Sequence, residues 1–432
     1  MFCFPIQDRF VKAHALLPAL VMLSLTGGYY LYTHINLTGL VTGSGSVLGG
    51  DFLAFYTGGA FLNQDILQEI YSINSGLLFP QQIDFQTSLI SKDLDGYAPF
   101  LNPPFMAFIY SPFAKLPYVY GFIIWQVCNF LVLLITVNLL RQELVFLQRF
   151  PLYKLIGCCF LFYPTLGWFM HAQATPIILL IYVLSYKYLR HDHDFKAGFC
   201  LGLIAFKPQL AIALAIVLIL KWRWQALLGG ILSVSLCLAS GFIFLPDAMI
   251  AYMEVSPQFL DLLRSSNYPT WGIHSFFGFS VLLLDDISTF ASNLSTYIAS
   301  GCTILLLCFL WHKSAWKKDL NRWDLAMAIT FIWGVLLSPH LYYYDLMLLL
   351  LPAAIIINSI ETGRTDSTTM LFWIAITWAV CFMSGFISIG QILMHDTYQI
   401  IAPTLQLSTP IIFLWGLSIF RYLIKKKEQI TI

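Results

Sequence analysis

A few polar side chains stand in apolar stretches of this sequence, where catalytic or binding groups are expected. The first is Asp51, in the segment VLGGDFLAFYTGGAF, where two glycines permit unusual backbone angles directly before the carboxylate. A carboxylate that loses hydration beside apolar residues becomes a stronger base. An Asp after Gly-Gly and before FLAFY is also a favourable helix N-cap. Asp51 is therefore either a candidate general base or a structural cap.

A lysine interrupts a second apolar stretch. Lys207 stands directly before Pro208 in AGFCLGLIAFKPQLAIALAIVLIL. A lysine at membrane depth costs about 2.5–3.5 kcal/mol unless it faces a cavity or an anion. A phosphate partner would account for both its charge and its depth. The alternative is a lysine whose long side chain reaches the outer interface.

Two further segments combine polar and aromatic residues. In SPHLYYYDLMLLLLPA, His340 and Asp345 are five residues apart, on loosely adjacent helix faces, and Tyr344 lies between them. They could line a cavity or belong to an interfacial aromatic belt. Arg264, in LDLLRSSNYPTWGIHS, is a second candidate for binding phosphate, or a solvated loop residue.

The composition indicates that these groups are positioned by membrane helices. The 432-residue chain is 59% hydrophobic and 10% charged, with a mean hydropathy of +0.76, which leaves too little polar surface for a soluble globule. The net charge is +1 and the cations are dispersed, which argues against nucleic acid as a partner. Eight of the nine cysteines, all except Cys3, lie in apolar runs without metal-binding spacing, as small core residues do.

The apolar runs predict an all-α, polytopic membrane protein. A spanning helix needs about 20 apolar residues. Lys and Arg cluster in the short segments between runs, which places these clusters and both termini in the cytoplasm. The predicted spans are 13–33, 118–140, 152–168, 174–189, 224–245, 294–312, 324–338, 341–358, 369–388 and 404–421.

Two more stretches fit only as irregular membrane segments. The halves of 197–220 are each too short to cross the bilayer, and Pro208 interrupts them, which predicts a broken helix pair. The proline-rich stretch 101–117 is predicted to be interfacial or re-entrant. The count is then about twelve helices in one domain, 1–432, with a long first outer loop (34–117) and a second outer loop (246–293). A cleaved signal peptide is the alternative for the first span, although no cleavage motif follows it.

Several segments together resemble glycosyltransferase family 87. They are GGDFLAFYTGGAFLNQDILQEIYS, YAPFLNPPFMAFIYSPFAKLPYVYGFIIWQVCN, AQATPIILLIYVLSYKYLR, KAGFCLGLIAFKPQLAIALAIVLILKWRWQALLG and LSPHLYYYDLMLLLLP, and they occur in order over most of residues 1–360. The resemblance implies a GT-C-type fold, and an enzyme that takes a sugar from a polyprenyl-phosphate donor at the outer side of the cytoplasmic membrane. Polyprenyl-phosphate-mannose-dependent mannosyltransferases belong to this family, which implies mannose as the sugar.

The resemblance also implies roles for particular residues. Asp51 occupies the place of the family's proposed base, Lys207 and Pro208 that of its KP element, and His340 that of the histidine in its late SPH element. One departure is Ala172, where the family usually has Gly before the glutamine, here Gln173. This difference concerns the backbone geometry of that segment more than the role of the side chain.

These expectations combine into an inverting membrane glycosyltransferase. Asp51 would deprotonate the acceptor hydroxyl, Lys207 and Arg264 would bind the donor phosphate, and His340 would orient a substrate. Because a polyprenyl phosphate leaves as a stabilised anion, no general acid is required. No cofactor is expected, and no metal ion either, because the sequence offers no convincing pair of carboxylates for the cavity. The expected acceptor is a lipid or glycan, although a protein acceptor is left open, and membrane lipids are expected to surround the protein. The alternatives are a transporter or lipid flippase, and an inactive scaffold for envelope assembly. The substrate cavity is predicted to contain Asn102, Gln173, Gln209, Tyr344 and Asp345.

Overall fold

The fold is taken from a computed structural model, which describes most of the chain. The first predicted span, 13–33, lies almost entirely outside the described residues. The described residues are 24, 27, 28, 39–42, 46–91, 97–265, 268–314, 316, 317, 319–363, 365, 368–398 (with side chains to 384) and 406–428 (with side chains to 425).

Helices make up the regular structure of the described residues, in which only isolated bridges, such as Ile273 with Tyr342, have a β pattern. This agrees with the all-α expectation, since a helix satisfies every backbone polar group within one segment. The α-helices are α1 (Phe52–Asn63), α2 (Pro80–Leu89), α3 (Ala107–Ala114), α4 (Tyr118–Glu143), α5 (Leu152–Phe160), α6 (Tyr163–His171), α7 (Thr175–Arg190), α8 (Asp194–Gly202), α9 (Ile212–Leu220), α10 (Trp224–Phe244), α11 (Pro246–Val255), α12 (Phe259–Leu262), α13 (Phe276–Leu284), α14 (Thr289–Lys313), α15 (Leu320–Leu336), α16 (Leu350–Glu361), α17 (Thr368–Tyr398) and α18 (Ser408–Glu428).

Among the described residues, four helical segments are long and apolar enough to cross a membrane: α4, α10, α14 and Tyr343–Glu361, which joins a 3₁₀ segment to α16. They coincide with the predicted spans 118–140, 224–245, 294–312 and 341–358. The predicted spans 174–189 and 324–338 are the shorter helices α7 and α15, of 16 and 17 residues. At 1.5 Å per residue these reach only about 24–26 Å, less than the ~30 Å hydrocarbon core.

The predicted span 152–168 is not one straight helix. Its residues form α5 and α6, which meet at an angle of 85° and could together provide a fifth crossing. Pro164 lies in the first turn of α6, where a proline can begin a helix but cannot continue one. The bend directs the end of α6, with His171, towards the residues described below.

The stretch predicted as the first outer loop, 34–117, contains the helices α1, α2 and α3. Helix α1 is almost completely buried and packs against α3. The two backbones come close at Gly59, where a Cβ atom would lie 2.7 Å from the carbonyl of Tyr110. Phe55 stacks on Tyr110 with ring centroids 4.5 Å apart. These contacts hold the start of α1 in a fixed place.

The stretch 197–220 is interrupted where the sequence places Pro208. Helices α8 and α9 are separated by two 3₁₀ turns, and Lys207 between these turns has φ −134° and ψ 61°. Helix α8 packs closely on α10, since a Cβ atom on Gly198 would lie 1.7 Å from the carbonyl oxygen of Ala226. Small residues permit such close approach between membrane helices. The contact fixes the position of the break, and therefore that of Lys207.

Candidate active site

Two left-handed glycines present the Asp51 side chain at the start of α1. Gly49 and Gly50 have φ of +82° and +50°, which glycine adopts readily. Asp51 occupies the N-cap position of α1, but its carboxylate makes no capping hydrogen bond. Its Oδ2 instead accepts a hydrogen bond of 2.7 Å from Nε2 of Gln173, and Nδ1 of His171 lies 3.9 Å away. The carboxylate is therefore directed towards other segments of the chain and not towards its own helix.

The Asp51 carboxylate retains access to solvent. Its side chain is 32% exposed, so it lies at the edge of the site and is less desolvated than the sequence suggested. Oδ1 accepts no hydrogen bond from the described residues. One carboxylate oxygen is thus held in place by Gln173 while the other is available to a ligand.

Gln173 is held by the short segment between α6 and α7. Ala172 is left-handed there, with φ +51° and ψ 36°, a conformation that favours glycine and accounts for the glycine expected at this position. The indole of Trp125 donates to the Ala172 carbonyl (2.6 Å), and the indole of Trp168 donates to the Gln173 carbonyl (2.8 Å). The Gln173 amide nitrogen also donates to the Tyr344 hydroxyl at 3.0 Å. Gln173 therefore links Asp51 to the segment that carries Asp345.

Lys207 forms a buried ion pair with Asp345. Its Nζ lies 2.9 Å from Oδ2 of Asp345, whose side chain is inaccessible to solvent, and Thr175 donates to Oδ1 at 2.8 Å. The side chain of Lys207 is 14% exposed. The lysine consequently points into the protein, which argues against the alternative of a side chain extended to the interface.

His340 lies close to the same charges. Its Nε2 is 2.5 Å from the hydroxyl of Tyr268. Desolvation lowers the pKa of His340 to about 4, the charge of Lys207 also lowers it, and Asp345 and Asp51 act in the opposite direction. The imidazole is therefore neutral at neutral pH, and can donate or accept a proton in a hydrogen bond.

Arg264 has a different environment from the one predicted. Its Nη1 donates to Asp285 (2.7 Å) and its Nη2 to Asn293 (2.5 Å), and the guanidinium lies 5.1 Å from the centroid of Phe277. The side chain is 14% exposed, so it is not a solvated loop residue. No hydrogen bond joins it to the groups around Asp51 in the described part of the chain.

The two remaining predicted cavity residues are less closely connected. The backbone carbonyl of Asn102 accepts a hydrogen bond from the Tyr71 hydroxyl at 2.7 Å, and Gln209 is half-buried in the 3₁₀ turn after Lys207. Neither side chain hydrogen-bonds to Asp51, Lys207 or His340 among the residues described. The structure thus joins Gln173, Tyr344 and Asp345 directly to the site, but not these two.

Three residues of the site were missed by the sequence analysis. His171 and Thr175 flank the glutamine in HAQAT, and Tyr268 follows Arg264 by four residues. Their polar character in apolar surroundings was a signal, but their partners are distant in the chain: Thr175 and Asp345 are 170 residues apart. Pairings of that kind cannot be read from local spacing.

The arrangement provides one carboxylate with an available oxygen, one lysine held by a second carboxylate, and a neutral imidazole. Within the described residues, no group of three or more His, Cys, Asp or Glu could hold a metal ion. The Asp93 and Asp95 pair, which resembles a metal-nucleotide motif but equally suits a turn, lies outside the described residues. These groups could remove a proton from a hydroxyl and bind an anion nearby.

Comparisons with known proteins identify the family. No curated protein and no solved structure matches the chain. The sequence model of glycosyltransferase family 87 matches residues 100–339, which is more than half of the 432 residues. The match includes Gln173 and Lys207, begins after Asp51, and ends one residue before His340. The chain belongs to glycosyltransferase family 87, whose members are membrane glycosyltransferases.

Proposed function

We propose that the protein transfers a sugar from a polyprenyl-phosphate donor to a hydroxyl group of a lipid or glycan acceptor, with inversion at the anomeric carbon. Asp51 is the general base. The observation that supports this is the state of its carboxylate, which does not cap its helix, is oriented by Gln173, and keeps one oxygen available. A carboxylate that served as the cap of α1 would instead accept a hydrogen bond from a backbone N–H in the first turn of that helix.

The reaction needs one base and one cation. Asp51 takes the proton from the acceptor hydroxyl, and the acceptor oxygen forms a bond to the anomeric carbon from the face opposite the phosphate. The bond from that carbon to the phosphate oxygen breaks, and the phosphate leaves with the electron pair. Since this leaving group is a stable anion, it requires no protonation, unlike the alkoxide in glycoside hydrolysis, where two carboxylates are needed.

Lys207 is the proposed ligand of the donor phosphate. An ammonium group has three N–H donors, and Asp345 accepts from one of them at 2.9 Å. A phosphate can therefore bind Lys207 while Asp345 keeps the side chain in place. The neutral imidazole of His340 lies near enough to orient the donor or the acceptor. Arg264 is the weaker candidate for the phosphate, because its hydrogen bonds go to Asp285 and Asn293 and none joins it to the groups around Asp51 in the described part of the chain.

The topology that we propose for this function is the GT-C type, with about twelve helices and the active site on the outer face of the cytoplasmic membrane. The segregation of Lys and Arg into short segments supports this orientation. For the sugar, the family resemblance supports mannose.

A transporter or flippase of lipid-linked precursors is the second candidate. The buried Lys207–Asp345 pair favours it, since paired charges at membrane depth also occur in transporters. The difference is chemical, because a flippase moves the donor without breaking its glycosidic bond.

The test uses the purified protein in liposomes supplied with polyprenyl phosphates that carry a radiolabelled sugar, mannose first, together with a lipid extract as the source of acceptors. We expect the label to appear in a new lipid or polymer, and not to do so with Asp51→Asn. Label that crosses the bilayer and remains on the donor in both proteins would show a flippase and contradict the transferase.

A further inference from the structure

The neighbouring segment 268–275 holds His340 in its place. The backbone N–H of His274 donates to the carbonyl of Leu341 at 2.7 Å, and the Tyr268 hydroxyl lies 2.5 Å from Nε2 of His340. One contact is with the residue directly after His340 and the other is with its ring. The position of the imidazole therefore depends on the position of this segment.

Two further contacts join the same parts of the chain. Ile273 and Tyr342 form an isolated antiparallel bridge, and the Ser275 hydroxyl donates to the Pro339 carbonyl at 3.4 Å. The contacts of the segment 268–275 thus lie on both sides of His340 in the sequence. A movement of this segment would shift the imidazole as well.

The start of α18 and the residue two positions before it contact the segment in turn. Nε2 of Gln406 donates to the Ile273 carbonyl, and the Ser408 hydroxyl lies 2.5 Å from Nδ1 of His274. The Thr409 hydroxyl donates to Oε1 of Gln406 at 2.8 Å, which fixes the orientation of the amide. All of these side chains are buried. The C-terminal part of the chain is therefore bonded to the segment that holds His340.

These polar contacts are concentrated at one end of α18. In the described part of the helix, the buried side chains after Thr409 are apolar: Ile412, Trp415, Ile419 and Leu423. Packing against α15 includes the stacking of Phe413 on Trp333, with ring centroids 5.7 Å apart. Buried hydrogen bonds add little net stability, since they replace bonds to water, but they restrict geometry. The polar end of α18 is thus suited to fixing a position.

We propose that Gln406, Ser408 and Thr409 are positioning residues, which act on the substrates through the segment 268–275 and His340. They lie after residues 100–339, which the family model matches, and no motif in the sequence marks them. Their part in sugar transfer rests on the proposed function, in which His340 orients a substrate. Their contacts with the segment do not, because these require no turnover.

The first test measures amide hydrogen exchange by mass spectrometry in the purified protein, in peptides that cover 268–275. Gln406→Leu removes the donor and the acceptor at similar volume. We expect exchange to be about tenfold faster, the factor that one buried hydrogen bond provides. Ile419→Val, a buried apolar change about three turns further along α18, is the control and should leave these peptides unchanged. Unchanged exchange in Gln406→Leu, or equal acceleration in both variants, would overturn the proposal.

The second test measures sugar transfer per folded molecule. Misplacement of an orienting group by about 1 Å can lower a rate by up to 10²-fold. We expect Gln406→Leu to lower the rate about tenfold and Ile419→Val to leave it unchanged. A role in stability alone would lower the amount of folded protein but not the rate of each folded molecule, and that result in Gln406→Leu would contradict the proposal.

Two variants of one residue separate the hydroxyl from the shape of the side chain. Thr409→Val keeps the shape and removes the hydroxyl that binds Gln406, whereas Thr409→Ser keeps the hydroxyl. The valine variant should exchange faster in 268–275 and transfer more slowly, and the serine variant should resemble the wild type in both. Equal rates in the two variants would mean that this hydroxyl positions nothing.

Failure of the proposed function gives a different result. If exchange responds as expected but the wild type transfers no sugar to any acceptor, the contact between α18 and the segment 268–275 stands and the transferase assignment fails. If the wild type transfers sugar and Gln406→Leu does so at the same rate, the assignment stands and the positioning role fails.

Discussion

The acidic side chains near the two ends of α7 differ in how completely they are paired with cations. Thr175, at its N-terminal end, belongs to the candidate active site, and Arg190, about 22 Å away at its C-terminal end, belongs to a separate ionic cluster. At the Arg190 end the acids are enclosed by partners. Glu143 is bonded by Lys187 (3.2 Å), Arg190 (3.8 Å) and His191 (2.7 Å), and Asp324 by Arg190 (3.3 Å) and Tyr186 (2.7 Å).

At the Thr175 end, one acid is paired and one is not. Asp345 has Lys207 and Thr175 as partners. Asp51 has a neutral amide at 2.7 Å and the His171 ring at 3.9 Å, but no lysine or arginine within 4 Å in the described chain. A structural carboxylate is stabilised by neutralisation, but a base must keep an available lone pair. The difference between the two ends therefore separates the charges that hold the fold from the one that we propose to react.

Substitution of the unpaired acid should have the largest effect on transfer. Asp51→Asn should lower the rate by about 10²–10⁴-fold, the usual contribution of a general base, with little change in stability, because the side chain makes no cap. Initial rates and melting temperatures of the purified variant measure both. Asp65→Asn, at an exposed position just after α1, is the control. An active Asp51→Asn enzyme would exclude the base assignment.

Substitution of a paired acid should instead lower the stability and leave the transfer rate almost unchanged. Asp324→Asn leaves Arg190 with a weaker partner in a buried place, so the free energy of unfolding should fall by about 3–5 kcal/mol. The transfer rate per folded molecule should stay close to that of the wild type. Thermal unfolding measures the stability, and a transfer rate normalised to the amount of folded protein measures the activity. A large loss of specific rate in a stable variant would mean that the Arg190 end takes part in the reaction.

Substitution of Lys207 tests whether one residue can both stabilise the fold and bind the donor phosphate. Lys207→Met should lower stability by about 3 kcal/mol, since it leaves Asp345 buried without its cation, and should also weaken donor binding. Lys207→Met with Asp345→Asn removes both charges, so it should recover most of the stability without recovering donor affinity. Chemical denaturation and a titration with polyprenyl phosphate measure the two quantities. If donor affinity is normal in the double variant, Lys207 is structural only.

The active-site end should also be the more sensitive to acid. Because the folded-state pKa of His340 is about 4 and the unfolded value about 6.5, the folded protein binds fewer protons between these values. Stability should therefore fall as the pH is lowered from about 6.5 towards 4, and be unaffected by this group above that range. In His340→Gln the fall should be smaller but still present, because burial lowers the pKa of His274 to about 3. An unchanged profile of melting temperature against pH in His340→Gln would contradict this.

The smallest effect concerns the backbone beside Gln173. Ala172→Gly should raise the free energy of unfolding by up to about 1 kcal/mol, because glycine relieves the left-handed conformation at φ +51°. Ala328→Gly, at a buried position in the middle of α15, should instead lower it by about 0.5–1 kcal/mol. Thermal melts of the two variants in parallel provide the comparison. Destabilisation by both would mean that the Ala172 methyl group contributes more by packing than it costs in strain.

The sequence was most informative where the cause of a structure is local. Hydropathy located α4, α10 and α14 as candidate membrane helices, the two glycines indicated the left-handed backbone directly before Asp51, and Pro208 indicated the break at Lys207. The bend between α5 and α6 was missed, because the apolar run continues through it and Pro164 was not treated as a helix start.

The sequence could not show which residues that are distant in the chain contact each other. Lys207 and Asp345 were each singled out, but their pairing over 138 residues depends on the packing of α8 against α10. Arg264 was grouped with the phosphate ligands for its charge alone, and its neutralisation by Asp285 appears only in three dimensions. Charge and residue type therefore identified candidates, and the contacts separated their roles.

The partial exposure of Asp51 also determines what happens to the proton after each transfer. The Gln173 amide that orients the carboxylate cannot accept a proton and pass it on, so it provides no relay into the membrane. With 32% of the side chain in contact with solvent, the proton can pass directly to water, or to the released phosphate on the same side. In the proposed mechanism the cycle then closes on one face of the membrane, and regeneration of the base requires no proton movement across the bilayer.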